Sequence, residues 1–185
     1  MIGHEEVRAL LGRLPAQTLL FTGPEGVGRR RVARWLAEEK GWEYLELSPL
    51  EKARPEIVSE QVEALRDWLS TLPRQGLKLG VLDGAHLLTE RAANALLKLL
   101  EDPPTYARLV LIAPSREGIL PTLGSRAVEI PFRPVPEAVL RSLTEDPLLL
   151  RYAQGAPGRL LRALENPSRI HGLFALAQKA TAQGA

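Results

Sequence analysis

The sequence contains no cysteine. That excludes a disulfide framework, a thiolate zinc site and a cysteine nucleophile together, and it is consistent with a reducing cytosol. Only one methionine and two asparagines occur, beside fifteen prolines and nineteen arginines against five lysines. Scarce thermolabile side chains and stiffened loops fit a heat-adapted source; the codon bias of a GC-rich genome fits them equally well. Long apolar runs are also missing, since none approaches the roughly 18 residues that span a bilayer. The N-terminal stretch MIGHEEVRALLGRLP carries charges throughout and reads as an amphipathic helix, not a signal peptide. The expectation is a soluble, cytoplasmic protein. A large charge imbalance is lacking too, the formal net charge being +2, so bulk charge does not predict nucleic-acid binding.

At 185 residues the chain has room for one domain of ordinary size and a small appendage. Short β-type runs alternate with helical patterns. QTLLFT is followed by a glycine-rich turn and RRRVARWLAEEK, in which Val32, Trp35 and Leu36 share a helical face. WEYLEL precedes PEIVSEQVEALRDWLSTL, which predicts a helix with Pro55 at its first position. LKLGVLD, ARLVLIA and AVEIPF read as further strands, with TERAANALLKLLED a helix ended by Pro103 and Pro104, and a short helical segment around Ile119 to Leu123. Alternation of this kind with near-continuous apolar strands predicts a parallel five-stranded sheet covered by helices on both faces. From Pro136 only helical patterns follow: PEAVLRSL, PLLLRYAQ, PGRLLRALEN, and a further amphipathic helix from Arg169. The predicted organisation is an α/β domain over 1–134, a small helical domain over 135–168, and over 169–185 the start of a truncated further region.

Ligands of open parallel sheets bind at the carboxyl ends of the strands. Two features lie there: the segment GPEGVGRRR from Gly23 to Arg31, and Asp83. A phosphate-binding loop lets backbone N–H groups converge on phosphate oxygens at a helix N-terminus, with a lysine for the terminal phosphates and a hydroxyl for magnesium. Gly23 and Gly28 keep the glycine spacing. Arg29 stands in place of the lysine, and it is bulkier and not equivalent in a tight loop. Arg30 stands in place of the hydroxyl, and a guanidinium repels a metal ion. A strand-to-helix turn that merely needs glycines explains the loop, taken alone, equally well. In nucleotide hydrolases of this architecture an apolar strand ends in an acidic pair. Here GVLDGAH keeps Asp83 and has Gly84 where the glutamate would be. Loss of a general base alone costs on the order of 10²–10⁴ in rate.

The block VLDGAHLLTERAANALLKLLEDPP (Val81 to Pro104) resembles the Walker B region of the AAA+ clamp-loader subunits of bacterial DNA polymerase III. LVLIAPS resembles their sensor-1 strand, LPTLGSRAVEIPF the segment holding their Ser-Arg-Cys motif, and GAPGRLLRAL their sensor-2 helix. The resemblance runs over roughly residues 15–165. It implies the AAA+ P-loop-type fold with a helical lid. Its departures, a degenerate loop beside a retained Ser-Arg pair, are similar to those of family members that do not hydrolyse ATP. On that resemblance the chain is not an enzyme by itself, needs no cofactor and no metal, and keeps Gly23, Gly28, Arg29, Arg30 and Asp83 only as vestiges. The working group is then Arg126, with Ser125, acting in trans as a finger on ATP held by a neighbouring subunit. The implied partners are the gamma/tau and delta subunits and, through the assembled ring, the sliding clamp and primed DNA.

Further departures are Ala127 for the motif cysteine, and Gly158 where the sensor-2 arginine falls, with Arg159 one place late. Without cysteine the chain also lacks the zinc module that many relatives carry. Competing readings are an ATP-hydrolysing subunit in which Arg29 replaces the lysine, and a stand-alone DNA-binding module. From sequence without the family, Arg126 reads as a surface arginine paired with a local acid such as Glu129. His4, His86 and His171 have no partner histidines at metal spacing, and Trp35, Trp42 and Trp68 sit in core-type patterns. The run Arg29 to Arg31 is expected to occlude its own loop, filling the phosphate site or binding Glu25 or Asp83.

Overall fold

In the computed structural model of the chain, residues 3–51 and 53–183 are described. Met1, Ile2, Gly184 and Ala185, at the ends of the first and last expected segments, lie outside them. After helix α1 (Glu5–Leu11), strands β1 (Thr18–Thr22), β2 (Glu43–Leu47), β3 (Lys78–Asp83), β4 (Ala107–Ala113) and β5 (Val128–Pro131) form one sheet in the order β2-β3-β4-β1-β5. Every pairing is parallel. Parallel neighbours need crossover connections. These are α2 (Arg29–Lys40), α3 (Ser59–Ser70) and α4 (Glu90–Glu101), with the short α5 (Pro121–Gly124) ahead of β5.

The apolar runs read as continuous because both faces of the central strands are covered. Leu109, Leu111 and Ala113 of β4 join Leu20 of β1, Val62, Leu65 and Leu69 of α3, and Leu96 and Leu99 of α4 in one cluster. Val110 and Ile112 alternate to the opposite face and are equally buried, and α2 packs on β2, β3 and β4. Full burial of each such side chain contributes about 1.5–3 kcal/mol.

Two features depart from the sequence reading. The third helix begins at Ser59, not at Pro55. Glu56 bridges Leu50, and Ile57 bridges Leu88, with the Ile57 N–H donating to the Leu87 carbonyl at 2.8 Å and the Ile57 carbonyl accepting from the Thr89 N–H at 3.0 Å. That pairing holds the chain extended until Val58, whose N–H donates to the Gln61 side chain at 3.1 Å. Lys78 is the second surprise: it opens β3 and is 1% exposed. Its ammonium donates to the Trp68 carbonyl and the Thr71 hydroxyl, both at 2.6 Å, satisfying the C-terminal end of α3 where a cation is favoured.

A second compact unit consists of the chain from Arg133 onward, the residues up to His4, and Pro24–Gly28. It holds α6 (Glu137–Leu140), α7 (Pro147–Ala153), α8 (Pro157–Glu165) and α9 (Pro167–Gln183). Asp146 caps α7, accepting from Leu148 at 2.9 Å and Leu149 at 3.3 Å, and Pro147 and Pro157 occupy first helical positions, where the missing N–H costs nothing. Leu140, Leu149, Leu150, Ala153, Leu160, Ala163 and Ile170 form its core. The last helix starts at Pro167, two residues before Arg169. Among the described residues no helix is long and apolar enough to cross a membrane.

Candidate functional site

The sheet aligns the carboxyl ends of β1, β4 and β3: Thr22 registers with Ala113, and Asp83 with Ile112. Gly23 follows β1 with φ +139°, and a Cβ there would stand 2.2 Å from the Phe132 carbonyl oxygen. Glycine is therefore required at 23 by the chain crossing beside it, whatever the loop binds. The Gly23 N–H itself donates to the Pro114 carbonyl at 3.0 Å.

The two arginines that open α2 turn to acceptors of their own domain. Arg29 donates to the Ala113 carbonyl at the end of β4. The Arg30 guanidinium pairs with the Glu46 carboxylate through Nε, and its Nη1 lies 3.9 Å from Asp83 Oδ2. Arg34, one turn along α2, reaches Glu46 at 3.4 Å, and the Tyr44 hydroxyl donates to the same carboxylate. Glu46, with its side chain 8% exposed, is thus the hub of the cluster. Burial pushes the Tyr44 hydroxyl well above its usual range, and the bond to Glu46 adds to the effect. Burial also pushes the Asp83 carboxyl up, against the pull of Arg30. It lowers the neighbouring His86 imidazole, which the Arg29 charge lowers further and Asp83 opposes.

A magnesium nucleotide asks for a short cation, a hydroxyl and an acidic pair. The residues present do not fit it. Position 30 carries a guanidinium already held by Glu46, and position 84 cannot take a glutamate without strain. Gly84 has φ +95°, and a Cβ there would meet Pro49 Cγ at 2.9 Å. Among the described residues no three of His, Cys, Asp and Glu are placed to hold a metal ion.

Of the expected occlusion partners, Asp83 lies near Arg30, whereas Glu25 pairs with Arg162 of α8 at 2.9 Å. Gly28, φ +109°, ends the loop. Arg159, the residue after Gly158, donates to Gln154 at 3.1 Å. His4 donates to the Val27 carbonyl at 2.7 Å and His171 meets Asp146 at 2.7 Å.

Ser125 and Arg126 follow α5. Arg126 keeps its side chain 38% exposed, with Nη2 3.0 Å from Glu101 Oε1 and Nη1 donating to the Thr122 carbonyl at 3.0 Å. Ser125 Oγ donates to the same carbonyl at 3.0 Å. The acid beside Arg126 is therefore Glu101, at the end of α4, and not Glu129. Glu129 accepts from the Thr22 hydroxyl at 2.7 Å and pairs with Arg116 at 3.5 Å. Glu46 and Glu101 escaped sequence reasoning. For Glu46 a signal existed: Tyr44 and Glu46 share one strand face, and Arg30 and Arg34 share one helix face.

The family described as DNA polymerase III, delta subunit matches residues 40–136. The DNA polymerase III subunit gamma/tau of Mycobacterium bovis is 27% identical over 208 residues, covering 89% of this chain and 36% of that protein. Replication factor C small subunit 2 of Pyrobaculum aerophilum is 32% identical over 192 residues, covering 89% of this chain and 59% of that protein. This chain thus spans between about a third and three-fifths of the length of these relatives. Among solved structures, a DNA polymerase III gamma subunit-related protein of Thermotoga maritima is 26% identical with a TM-score of 0.63, covering 80% of this chain and 49% of that one. The RuvB Holliday junction branch migration motor of Thermotoga maritima has a TM-score of 0.66 over 94% of this chain and 64% of its own. At 18% identity it shares the fold alone.

Proposed function

Because this chain belongs to the AAA+ clamp-loader family, we propose that it is a delta-prime type of subunit in the DNA polymerase III clamp loader, silent toward ATP in its own site. In this reading it docks in the cytoplasm against gamma/tau and delta subunits in a ring that helps load the sliding clamp on primed DNA. Residues from 169 onward belong to the part that joins the ring.

The observation that carries the silent half is Arg30. It occupies the position of the magnesium-binding hydroxyl, and its charge is committed to Glu46 beside Asp83. The positive half falls to Arg126 with Ser125. An exposed guanidinium offered to a neighbouring subunit places a fixed cation against the charge that develops on a γ-phosphate, an effect worth roughly 10³–10⁵ in rate in other phosphoryl-transfer systems. The partly exposed Arg126, held at two nitrogens by Thr122 and Glu101, suits that task.

Calorimetric titration of the chain with Mg-ATP tests the silent half. No heat of binding up to millimolar nucleotide is the expected result. Micromolar binding with turnover would instead make the chain an ATPase with Arg29 in the role of lysine.

A further inference from the structure

We propose that the crest of the glycine loop, residues 24–28, is a structural clasp whose resident partner is the first turn of α8, and that this contact is a second barrier to nucleoside triphosphates, independent of Arg29 and Arg30. The inference rests on the reading of this site as nucleotide-free and supplies a physical reason for it.

The central contact is between two backbones. Gly158 N–H donates to the Gly26 carbonyl at 2.8 Å. Gly158 is the second residue of α8, so its N–H has no acceptor within the helix. Ala156, at the cap position, supplies no side-chain bond either. The loop carbonyl therefore serves as the cap of α8. Both partners are glycines, and a side chain on either would crowd the approach. A Cβ on Gly158 would stand 3.0 Å from the Gly26 carbonyl oxygen, and one on Gly26 would stand 3.0 Å from the Arg159 amide nitrogen. Gly26 also has φ +82°, a conformation that other residues rarely adopt.

Two flanking contacts hold the same crest. Glu25 is paired with Arg162, one turn further along α8, at 2.9 Å. Val27 is 1% exposed, and its carbonyl accepts from His4 Nε2 at 2.7 Å. Glu25, Gly26 and Val27 are thus each tied by a separate bond. A triphosphate needs a layer of space between the loop and whatever covers it. At Gly26 the first turn of α8 is in hydrogen-bonding contact with the loop carbonyl, and in this proposal that contact takes the place of such a layer.

The consequence is specific. Restoring the textual motif with Arg29→Lys and Arg30→Thr leaves the clasp in place, so the double variant still takes up no Mg-ATP.

Amide hydrogen exchange of the full chain, read by NMR, tests the clasp directly. The Gly158 amide is expected to exchange at least about 100-fold more slowly than in an unstructured chain, because Gly26 is its acceptor. Protection of less than about tenfold overturns the clasp. In Gly158→Ala the added methyl crowds the Gly26 oxygen, and protection at 158 is expected to fall about tenfold or more while the amides of β3 stay slow. Equal protection in the variant would contradict the proposed geometry. Submillimolar Mg-ATP binding by the Arg29→Lys, Arg30→Thr variant also overturns the proposal. A freely exchanging Gly158 in a chain that still binds no nucleotide sinks the clasp and spares the reading of the chain as silent toward ATP. ATP hydrolysis by the unaltered chain sinks that reading whatever the amide does.

Discussion

Arg126 and Glu101 meet at 3.0 Å, the guanidinium of the second residue after α5 against the last residue of α4. A carboxylate at a helix C-terminus opposes the helix dipole, and Asp102 follows it, so the arginine sits at a locally negative helix end. Both side chains remain substantially exposed, at 38% and 58%. An exposed pair of this kind is worth about 0.2–1 kcal/mol. It orders the arginine without locking it.

The first prediction concerns that pair. Glu101→Gln lowers stability by no more than about 1 kcal/mol in urea unfolding. A larger loss would mean that Arg126 is held as a structural element of this chain and not as a group free to face another.

Restoring the missing acid is expected to fail. Gly84→Glu forces a side chain onto φ +95° and into Pro49, a strain of about 1–3 kcal/mol. Thermal unfolding reads the loss directly. The variant should melt lower than the wild type and gain no ATPase activity; an unchanged melting temperature contradicts the account of this position.

Asp83 carries a pH signature. Its carboxyl is raised in the folded chain, chiefly by burial, so the folded state holds this proton more tightly than the unfolded state does. Stability from this group is therefore highest below the unfolded value of 3.8 and declines as pH rises through the raised folded value. Asp83→Asn removes that decline. Urea midpoints at pH 3.5 and pH 7 should show the variant gaining on the wild type as pH rises. A variant that loses ground with rising pH would show that Arg30 stabilises the carboxylate more than burial penalises it.

Lys78 offers a test of the buried cap. Lys78→Met keeps most of the apolar stem but removes the ammonium bonds to the Trp68 carbonyl and the Thr71 hydroxyl, leaving that carbonyl only the Thr71 hydroxyl as side-chain donor, at a cost of about 1–3 kcal/mol. Denaturant unfolding at neutral pH measures it. No loss would mean that the ammonium's desolvation already offsets its bonds.

The strands were legible because burial on both faces writes itself as an apolar run: TLLFT and ARLVLIA could belong to little else than covered central strands. The start of α3 was not, since PEIV carries helical spacing while Ile57 is claimed by pairing with Leu88, a partner far along the chain. The candidate site divides in the same way. Gly23, Arg29, Arg30, Asp83 and Arg126 stand out locally, as departures from or matches to a motif. Glu46, Glu101 and Gly158 matter through the residues that folding brings to them. A glycine after Pro157 carries no mark of the loop it meets, and Glu46 in WEYLEL is marked only once its strand face is matched to the arginine face of α2.

The most direct test of the central claim is ATP turnover by the clamp loader reconstituted from this protein and its partner subunits, comparing the wild type with Arg126→Ala. The account predicts that hydrolysis at the adjoining subunit falls by roughly 10³–10⁵ while the complex still assembles. Unchanged turnover at every site would contradict it.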